Sequence, residues 1–397
     1  MVKVAVLGFG VVGSGVAEVI TGKGDGMKKK VDELLELKYI LDVRDFPDSP
    51  FAACFVTDFS VIEKDPEVSV VVETIGGVGA ALDFTERALK AGKSVVTSNK
   101  ELVATHGRRL MDLAAEHGAI YLFEASVGGG IPILRPLSEC MAANDILEIC
   151  GILNGTANYI FTRMVQDGVP FEQALKGAQA NGYAEQNPSA DVEGYDTCRK
   201  LSILSSIAFG WHLLPDQIPT KGITQITLED EAYAAACRRR IKLLGRAIAG
   251  EDGTVCAYVE PHFVSEENPL AGVEDVFNAI MVKGNVTGDV MFYGRGAGKL
   301  PTASAVVADV IAAARKMERA GYQPWQENRP ACVASVDALS SRWYVRLAEG
   351  ELADSEVLTI PQAGEGEHGY LTQAMPRPQL EKALEGKKVL SVIRVLD

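Results

Sequence analysis

Short apolar runs and helix-patterned segments alternate over the first 130 residues. The run at residues 2–7 is followed by a glycine-rich turn and by VVGSGVAEVI, whose apolar positions recur at helical spacing. Further apolar runs follow, KYILDVRDF, VSVVVETIGG, KSVVTSNK and AIYLFEAS, with ALDFTERALKAG and ELVATHGRRLMDLAAEHG as helix-patterned segments between them. Strands that alternate with helices predict right-handed crossovers. We therefore predict an α/β domain with a parallel sheet over residues 1–130.

The pattern changes at GGGIPILRPL, where glycines and prolines mark a junction. Beyond it the strand-like runs are ILEICGIL, TVCAYVEPHFV, FNAIMVKGN and DVMFYGRGAG, with predicted helices near 170–180, 196–210 and 229–245. This order predicts a second, α+β domain over residues 131–300, built on a largely antiparallel sheet. The segment PTASAVVADVIAAARKM predicts a long helix at 301–317, which we expect to return to the first domain.

Composition places the chain among ordinary globular proteins. Its 397 residues favour two or three domains, and 47% hydrophobic with 23% charged residues excludes a largely disordered chain. The net charge of −14 argues against nucleic acid or an anionic membrane as partner. Seven scattered cysteines indicate reduced thiols, no signal peptide fits the opening strand, and the apolar runs fall short of the roughly 20 residues that span a bilayer. We expect a cytoplasmic protein.

Three glycines with the spacing G-x-G-x-x-G, Gly8, Gly10 and Gly13, lie between the first strand and the first helix. The first permits a tight turn, the second lets backbone approach a pyrophosphate, and the third lets the helix pack on the strand. The motif predicts a Rossmann-type dinucleotide site. Since ligands bind at the carboxyl ends of parallel strands, we expect Thr74, Asn99 and Lys100 beside the cofactor.

The choice between NAD and NADP depends on the end of the second strand. An acid there suits the ribose of NAD, whereas an arginine suits the 2′-phosphate of NADP. The segment LDVRD offers Asp42, Arg44 and Asp45, so both cofactors stay open, and Arg44 as a surface ion-pair partner is an alternative. Because Arg44 suits a 2′-phosphate, the sequence slightly favours NADP over NAD.

The polar segment 181–200 carries Glu185, Asp191, Asp196 and Lys200 directly before an apolar run. Asp196 and Lys200 are four residues apart, so they can form a surface helix pair worth only about 0.3–0.5 kcal/mol. Alternatively, Lys200 gives a proton to an alkoxide and Asp196 orients it. The loop carboxylates then bind a substrate that carries an ammonium group, in a cleft between the domains.

Four segments, VVTSNKELVA, ILNGTANYIFTRM, GYAEQNPSADVEGYDTCRKLSILS and YGRGAGKLPTASAVVADV, resemble in this order the signature blocks of the homoserine dehydrogenase family. The resemblance extends from the N-terminus to about residue 340. It implies the reversible, NAD(P)H-dependent reduction of L-aspartate 4-semialdehyde to L-homoserine, a step of threonine, methionine and isoleucine biosynthesis. It also implies a homodimer or higher homo-oligomer, formed through the second domain.

The resemblance carries over to individual positions. It implies Lys200 as the proton donor and Lys100 as a second amine near substrate and nicotinamide. The implied substrate contacts are Gly182, Glu185 and Asp196, with Asp191 as a neighbour. The implied cofactor contacts are Gly8, Gly10, Val12, Gly13 and Gly298.

The family also binds a monovalent cation, usually Na⁺, in the segment EASVGGGI. Glu124, Val127, Gly129 and Ile131 match its ligand positions, mostly through backbone carbonyls. Hard oxygen ligands from an irregular loop suit such an ion. The chain departs from the family at Asn187, where an acid is usual, which puts a charge at that position in doubt.

Other enzyme classes fit the sequence less well. A sugar-type oxidoreductase has an E-K-P lysine, whereas this chain has Ser-Asn-Lys-Glu at 98–101. An acylating semialdehyde dehydrogenase needs a nucleophilic cysteine in a polar setting, which Cys140, Cys150 and Cys198 lack. A nucleotide-binding regulator without turnover has no need of both lysines and Asp196.

Residues 340–397 resemble a shortened ACT regulatory domain. The runs RWYVRL and VLSVIRVLD match its first and last strands, and RPQLEKALEGKK its second helix. The segment AEGELADSEVLTIPQ lacks the D-x-P-G-V-L turn and leaves no room for the first helix. We predict a degenerate module that packs on its neighbours or on a partner subunit and does not sense threonine, with a loosely attached tail as the alternative.

Overall fold

The computed structural model describes residues 1–22, 35–315, 322–327, 332–361, 363–364 and 366–397. The chain divides into two compact units, each assembled from several stretches of sequence. The first unit comprises Met1–Asn144, Ser202–Pro215 and Gly294–Asn328, and the second comprises Asp145–Leu201, Asp216–Tyr293 and Arg329–Asp397.

A six-stranded sheet forms the centre of the first unit, with every pairing parallel and the strand order β3-β2-β1-β4-β5-β6. Its strands are β1 (Val2–Leu7), β2 (Leu35–Leu41), β3 (Phe55–Val56), β4 (Val68–Glu73), β5 (Ser94–Thr97) and β6 (Tyr121–Leu122). Side chains of β1 and β4 are buried almost throughout, as expected for a parallel sheet covered on both faces. The predicted parallel sheet is confirmed.

Five helices accompany this sheet in the described part of the first unit. They are α1 (Val11–Ile20), α2 (Phe59–Lys64), α3 (Gly79–Lys90), α4 (Lys100–Glu116) and, from the later part of the chain, α10 (Lys299–Ala314). The helix predicted at 301–317 is therefore present, although residues 316 and 317 lie outside the described residues.

A nine-stranded mixed sheet dominates the second unit, in the order β11-β10-β7-β8-β9-β15-β12-β14-β13. Its strands are β7 (Ile146–Ile152), β8 (Arg239–Ala249), β9 (Val255–Ser265), β10 (Phe277–Gly284), β11 (Gly288–Arg295), β12 (Trp343–Leu347), β13 (Glu356–Leu358), β14 (His368–Leu371) and β15 (Val389–Leu396). The helices that begin in this unit are α5 (Gly155–Asp167), α6 (Phe171–Ala180), α7 (Ser189–Val192), α8 (Tyr195–Phe209), α9 (Leu228–Ala236) and α11 (Arg377–Leu384). The three pairings among β7, β8, β9 and β10, namely β10–β7, β7–β8 and β8–β9, are antiparallel, as predicted.

The helix predicted near 229–245 is wrong in its second half. α9 ends at Ala236, Arg238 takes a left-handed backbone conformation with φ of 56°, and β8 begins directly afterwards. The arginines, leucines and alanine of RRIKLLGRAIA favour a helix locally. Pairing with β9 along all eleven residues of β8, and burial of Ile241 and Leu243, overrides that preference.

The C-terminal residues extend the same sheet. β15 pairs in parallel with β9 through Arg394, Val395 and Leu396, and β12 lies on its other side. Between β12 and β13 the described chain forms turns and no helix, in agreement with the missing first helix. Among the described residues, no helix is both long and apolar enough to cross a membrane.

Candidate active site

The glycine turn after β1 has the conformation that its motif predicts. Gly8 has a φ of 90°, which favours glycine, and a Cβ atom on Gly13 would lie 1.9 Å from the Gly8 carbonyl oxygen. The Thr74 hydroxyl donates to the carbonyls of Leu7 (2.9 Å) and Gly8 (3.1 Å), so the end of β4 fixes the turn. Space around Gly10 is open, since a Cβ atom there would meet no atom within 4 Å. The turn therefore exposes backbone at the start of α1, and a helix N-terminus of this kind suits a pyrophosphate.

A second helix begins close to this turn. Gly298, with a φ of 128°, is the N-cap of α10. The first residue of α10, Lys299, packs on Gly15 of α1, where an added Cβ atom would lie 3.0 Å from the Lys299 carbonyl oxygen, and its ammonium group pairs with Glu18 at 2.8 Å. The predicted cofactor residues Gly8, Gly10, Val12, Gly13, Thr74 and Gly298 thus belong to one region of the first unit.

Asp42 and Arg44 at the end of β2 form a bidentate ion pair. Asp42 Oδ1 accepts hydrogen bonds from the backbone N and Nε of Arg44, both at 3.0 Å. Asp42 Oδ2 accepts from Arg44 Nη2 at 2.9 Å and from the Phe9 amide at 2.7 Å. The hydrogen bond from the Arg44 side chain is the largest cause that holds the pKa of Asp42 well below its usual range, so this carboxylate stays ionised. The Arg44 side chain remains 60% exposed.

Lys100 is placed by the end of β5. It is the first residue of α4, and the preceding Asn99 caps that helix by accepting a hydrogen bond from the Leu102 amide at 3.1 Å. Nearby, the buried Glu73 accepts from the Thr97 hydroxyl at 2.6 Å and from the Ile75 amide at 2.7 Å. Burial raises the pKa of Glu73. These bonds hold the adjacent ends of β4 and β5 together, on the side of the sheet where Thr74 lies.

In the second unit, Lys200 and Asp196 lie on α8 and are both nearly buried, with exposures of 8% and 5%. Lys200 Nζ lies 2.7 Å from Asp196 Oδ2 and donates to the Leu153 carbonyl at 2.7 Å. Asn154 donates through Nδ2 to Asp196 at 2.9 Å and to Asp191 at 2.7 Å. The interpretation of the pair as an exposed surface ion pair is therefore wrong, because both charges are removed from solvent.

The loop before α7 carries the other predicted substrate residues. Gly182 follows α6 with a φ of 73°, and Glu185 is exposed, with its carbonyl accepting from Gln179 at 3.0 Å. The loop is anchored to α5 because the Thr156 hydroxyl donates to the Tyr183 carbonyl at 2.7 Å. Asn187 accepts hydrogen bonds from Ser189, so it serves as a local turn residue at the start of α7.

The segment 124–131 forms a buried, irregular loop in the first unit. The Glu124 carboxylate accepts hydrogen bonds from three backbone amides, those of Ile133 (2.7 Å), Leu134 (2.9 Å) and Arg135 (2.8 Å). Its own amide donates to Asp309 of α10 at 2.9 Å. The Glu124 carboxylate is thus hydrogen-bonded to the protein backbone. The ligands that this loop can provide for an ion are therefore its backbone carbonyl oxygens.

Two glycines bend that loop. Gly128 and Gly129 have φ values of 74° and 55°, and a Cβ atom on Gly129 would lie 2.5 Å from the Gly296 carbonyl oxygen. Val127 and Ile131 are buried on either side. The backbone carbonyls of such a tight loop, beside the carboxylate of Glu124, are of the hard oxygen type that suits a monovalent cation.

Comparison with known proteins assigns the chain to a family. The profile of homoserine dehydrogenase matches residues 132–311, and the profile of the homoserine dehydrogenase NAD-binding domain matches residues 8–124. The homoserine dehydrogenase of Bacillus subtilis is 40% identical over 322 residues, which cover 80% of this chain and 73% of the relative. That of Synechocystis sp. is 36% identical over 387 residues, 94% of this chain and 88% of the relative. The chain belongs to the homoserine dehydrogenase family.

Solved homoserine dehydrogenases share the fold as well. The crystal structure of the enzyme from Thiobacillus denitrificans superposes on 100% of this chain and 98% of that chain, with a TM-score of 0.88 and 34% identity. The predicted family and activity are confirmed. This homoserine dehydrogenase is an NAD(P)-dependent oxidoreductase that interconverts L-aspartate 4-semialdehyde and L-homoserine.

Two groups that contact the predicted site residues were not predicted from the sequence. Asn154 joins the two acids, and the Leu153 carbonyl accepts from Lys200. An asparagine before a helix in LNGTANYIF is a recognisable N-cap signal, and Asn154 does cap α5 through the Ala157 amide at 2.7 Å. Its contact with Asp196, which is 42 residues away, leaves no local signal.

Proposed function

We propose that Lys200 is the general acid of the homoserine dehydrogenase reaction and protonates the carbonyl oxygen of L-aspartate 4-semialdehyde. The observation that carries the proposal is the buried ammonium group on α8, held by Asp196 at 2.7 Å and by the Leu153 carbonyl at 2.7 Å. An ammonium group has three N–H donors. These two acceptors take two of them among the described residues, which leaves one for a substrate oxygen.

A bound nicotinamide cofactor supplies the hydride to the carbonyl carbon. Lys200 gives its proton to the oxygen that becomes the hydroxyl of homoserine, and in the reverse direction it removes that proton. Asp196 orients the amine and balances its charge, and Asn154 donates to the same Asp196 oxygen, Oδ2, that Lys200 contacts. Removal of the site from water strengthens each of these interactions.

The substrate's ammonium group is assigned to the acidic residues of the same region. Asp191 is held by Asn154 at 2.7 Å, which places it next to Asp196. Glu185 and Gly182 lie in the adjoining loop, which is anchored to α5 through Tyr183. A carboxylate and exposed backbone in such a loop suit the recognition of a zwitterionic amino acid.

We assign NADPH as the preferred cofactor. Asp42, the acid that would accept hydrogen bonds from the ribose of NAD, already accepts four, as described above. Arg44 is exposed at the same position and suits a 2′-phosphate. A hyperthermophilic archaeal homoserine dehydrogenase, 26% identical with a TM-score of 0.66, was solved in complex with NADPH. Lys100, at the start of α4, is assigned to the nicotinamide end.

The loop 124–131 is assigned to a monovalent cation, Na⁺ by family resemblance. The carbonyl groups of Glu124, Val127, Gly129 and Ile131 would hold the ion. It would neutralise the surrounding carboxylates and fix the loop, while the side chain of Glu124 keeps its bonds to the backbone.

The first unit is assigned to the cofactor, and the second to the substrate and to assembly with a second copy of the chain. β11 forms an open edge of the nine-stranded sheet and exposes Met291 and Tyr293, at 42% and 54%. Exposed edge strands of this kind invite pairing. All seven cysteines are free thiols, which supports a reducing compartment such as the cytoplasm.

A spectrophotometric assay tests the assignment. The full-length protein should oxidise NADPH when L-aspartate 4-semialdehyde is added, and should reduce NADP⁺ with L-homoserine. NADH should serve less well. Equal kcat/KM for both cofactors would remove the NADPH assignment, and inactivity with both would contradict the proposed chemistry.

A further inference from the structure

An aromatic cluster lies under the exposed arginine at the end of β2. The guanidinium carbon of Arg44 lies 5.1 Å from the centre of the Phe46 ring. Phe46 stacks on Phe55 with a centroid distance of 5.0 Å and an interplanar angle of 23°. Phe9 meets both rings edge-on, at 5.0 Å and 5.1 Å. Rings and guanidinium therefore form one connected assembly.

Arg44 is constrained from two directions in this assembly. Asp42 binds it through Nε and Nη2, which fixes the plane of the guanidinium. Phe46 supports its face through a cation–π contact. Asp42 takes two of the five N–H donors of the side chain, so three are left for a ligand. An arginine that is 60% exposed is thereby held in place although solvent surrounds it.

Phe9 links this assembly to the cofactor turn. It is the residue between Gly8 and Gly10, and its amide donates to Asp42 at 2.7 Å. The pyrophosphate turn and Arg44 are therefore connected by both a hydrogen bond and ring contacts. A dinucleotide that binds at the turn meets an arginine whose position is already set.

We propose that Phe46 is a positioning residue that raises the selectivity of the enzyme for NADPH over NADH by holding Arg44 for the 2′-phosphate. The inference rests on the proposed NADPH preference and adds the means by which a surface arginine achieves it. A free arginine loses rotamer entropy when it binds a phosphate. Because Phe46 and Asp42 already restrict the Arg44 rotamer in the folded protein, little further entropy is lost when the phosphate binds. The 2′-phosphate therefore contributes more to the free energy of binding.

The chain contains a matched arrangement for comparison. Arg87 pairs with Glu63 through Nε and Nη2, and its guanidinium carbon lies 4.8 Å from the ring of Phe59, which stacks on Phe84. Arg87 and Phe84 belong to α3, and Phe59 to α2. The Phe84 ring centre lies 5.9 Å from the same guanidinium carbon, so Phe84→Leu disturbs an arginine–aromatic contact of the same type away from the end of β2.

The experiment measures binding of 2′,5′-ADP and of 5′-AMP to the full-length protein by calorimetry, for wild type, Phe46→Leu, Phe46→Tyr, Phe84→Leu and Arg44→Ala. We expect Phe46→Leu to weaken 2′,5′-ADP about threefold, the scale of an exposed cation–π contact, with 5′-AMP nearly unchanged. Phe46→Tyr retains a ring and should restore binding. Phe84→Leu should change neither ligand. The ratio of kcat/KM for NADPH and NADH should follow the same order.

The variants separate failure of the inference from failure of the cofactor assignment. If Arg44→Ala weakens 2′,5′-ADP selectively and Phe46→Leu does not, the NADPH assignment stands and the role of Phe46 is refuted. If Phe46→Leu weakens both ligands equally, the ring contacts the adenine and does not position Arg44. If Arg44→Ala has no selective effect, the assignment of NADPH through Arg44 is refuted, and the proposed role of Phe46 is refuted with it.

Discussion

At the scale of single residues, the proposed acid Lys200 is an ammonium group that is nearly buried and hydrogen-bonded by the protein. Burying a charge is costly unless it is paired and hydrogen-bonded. Lys200 meets that condition with one carboxylate and one carbonyl. Asp196 is itself held by Asn154, so the pair has a fixed geometry before substrate binds.

Replacing this amine should remove catalysis while leaving the cofactor site intact. We expect Lys200→Ala to lower kcat by about 10²–10⁴-fold, the usual contribution of general acid catalysis. The Kd of NADPH, measured by fluorescence titration, should stay near the wild-type value.

A second buried lysine provides the control for that variant. Lys93 is 4% exposed and donates to the carbonyls of Asp65 and Val68 in the first unit. Lys93→Ala should lower stability and leave kcat close to wild type. If Lys200→Ala kept more than about a third of wild-type kcat, Lys200 would be a structural ion-pair partner and not the acid.

Glu185 should affect recognition and not the chemical step. Its exposed position in the loop after α6 supports contact with the ammonium group of the substrate. Loss of such uniform binding shows in KM with kcat little changed, so Glu185→Gln should raise the KM for homoserine several-fold. Glu172→Gln on α6 is the matched control. An unchanged KM would remove Glu185 from the site.

Much of this site could be predicted at residue level where the signal is local. Asp196 and Lys200 lie one helical turn apart, and Gly8 and Gly13 follow a spacing that sterics impose. The burial of Lys200 and the role of Asn154 could not be predicted in this way. They depend on a tertiary contact between the start of α5 and α8. A contact between residues so far apart in the chain leaves no local pattern in a single sequence.

At the scale of elements, predictions based on local pattern were correct for the parallel strands and wrong for β8, where tertiary pairing decides the structure. Parallel strands of the first unit are continuous apolar runs and were predictable from pattern alone. β8 consists of helix-favouring residues and becomes a strand because β7 and β9 flank it. Its neighbour β9 is buried along almost all its length and contains a histidine, His262, with no solvent exposure.

His262 should make the second unit sensitive to acid. Burial lowers its pKa to about 4, and Arg246 and Arg394 act in the same direction, whereas Glu260 opposes them. The unfolded chain, with a histidine pKa of about 6.5, therefore binds more protons between pH 4 and pH 6.5. The free energy of unfolding should fall as pH drops through this window, by about 3 kcal/mol in total from this residue.

Urea unfolding at several pH values measures this effect. His262→Gln removes the titrating group, so its stability should depend less steeply on pH between 6.5 and 4 than that of wild type. His117→Gln, at the exposed C-terminus of α4, is the control for replacing a histidine at the surface. Parallel pH profiles for wild type and His262→Gln would contradict the prediction.

At the scale of the whole molecule, the C-terminal residues are part of the second unit's sheet. Arg394 of β15 is buried, pairs with Glu260 of β9, donates to Ser341 at 2.6 Å and lies over the rings of Tyr258 and Trp343. β12 and β14 bury a common core with α11, around Trp343, Tyr370 and Leu380. Strands that resemble a regulatory module are thus used to cover the edge of β9.

This use of the segment predicts that threonine does not regulate the enzyme. The described residues of the segment have the order β12-β13-β14-α11-β15 and include no helix between β12 and β13 that would border an effector. β15 is in addition fixed to β9 by the buried Arg394–Glu260 pair. Initial rates of NADPH oxidation with L-aspartate 4-semialdehyde should stay constant across a threonine titration, and the melting temperature should not rise. Serine, titrated in parallel, controls for non-specific effects of a hydroxy amino acid. Saturable inhibition by sub-millimolar threonine, absent with serine, would show that these strands still form a working effector site despite their place in the sheet.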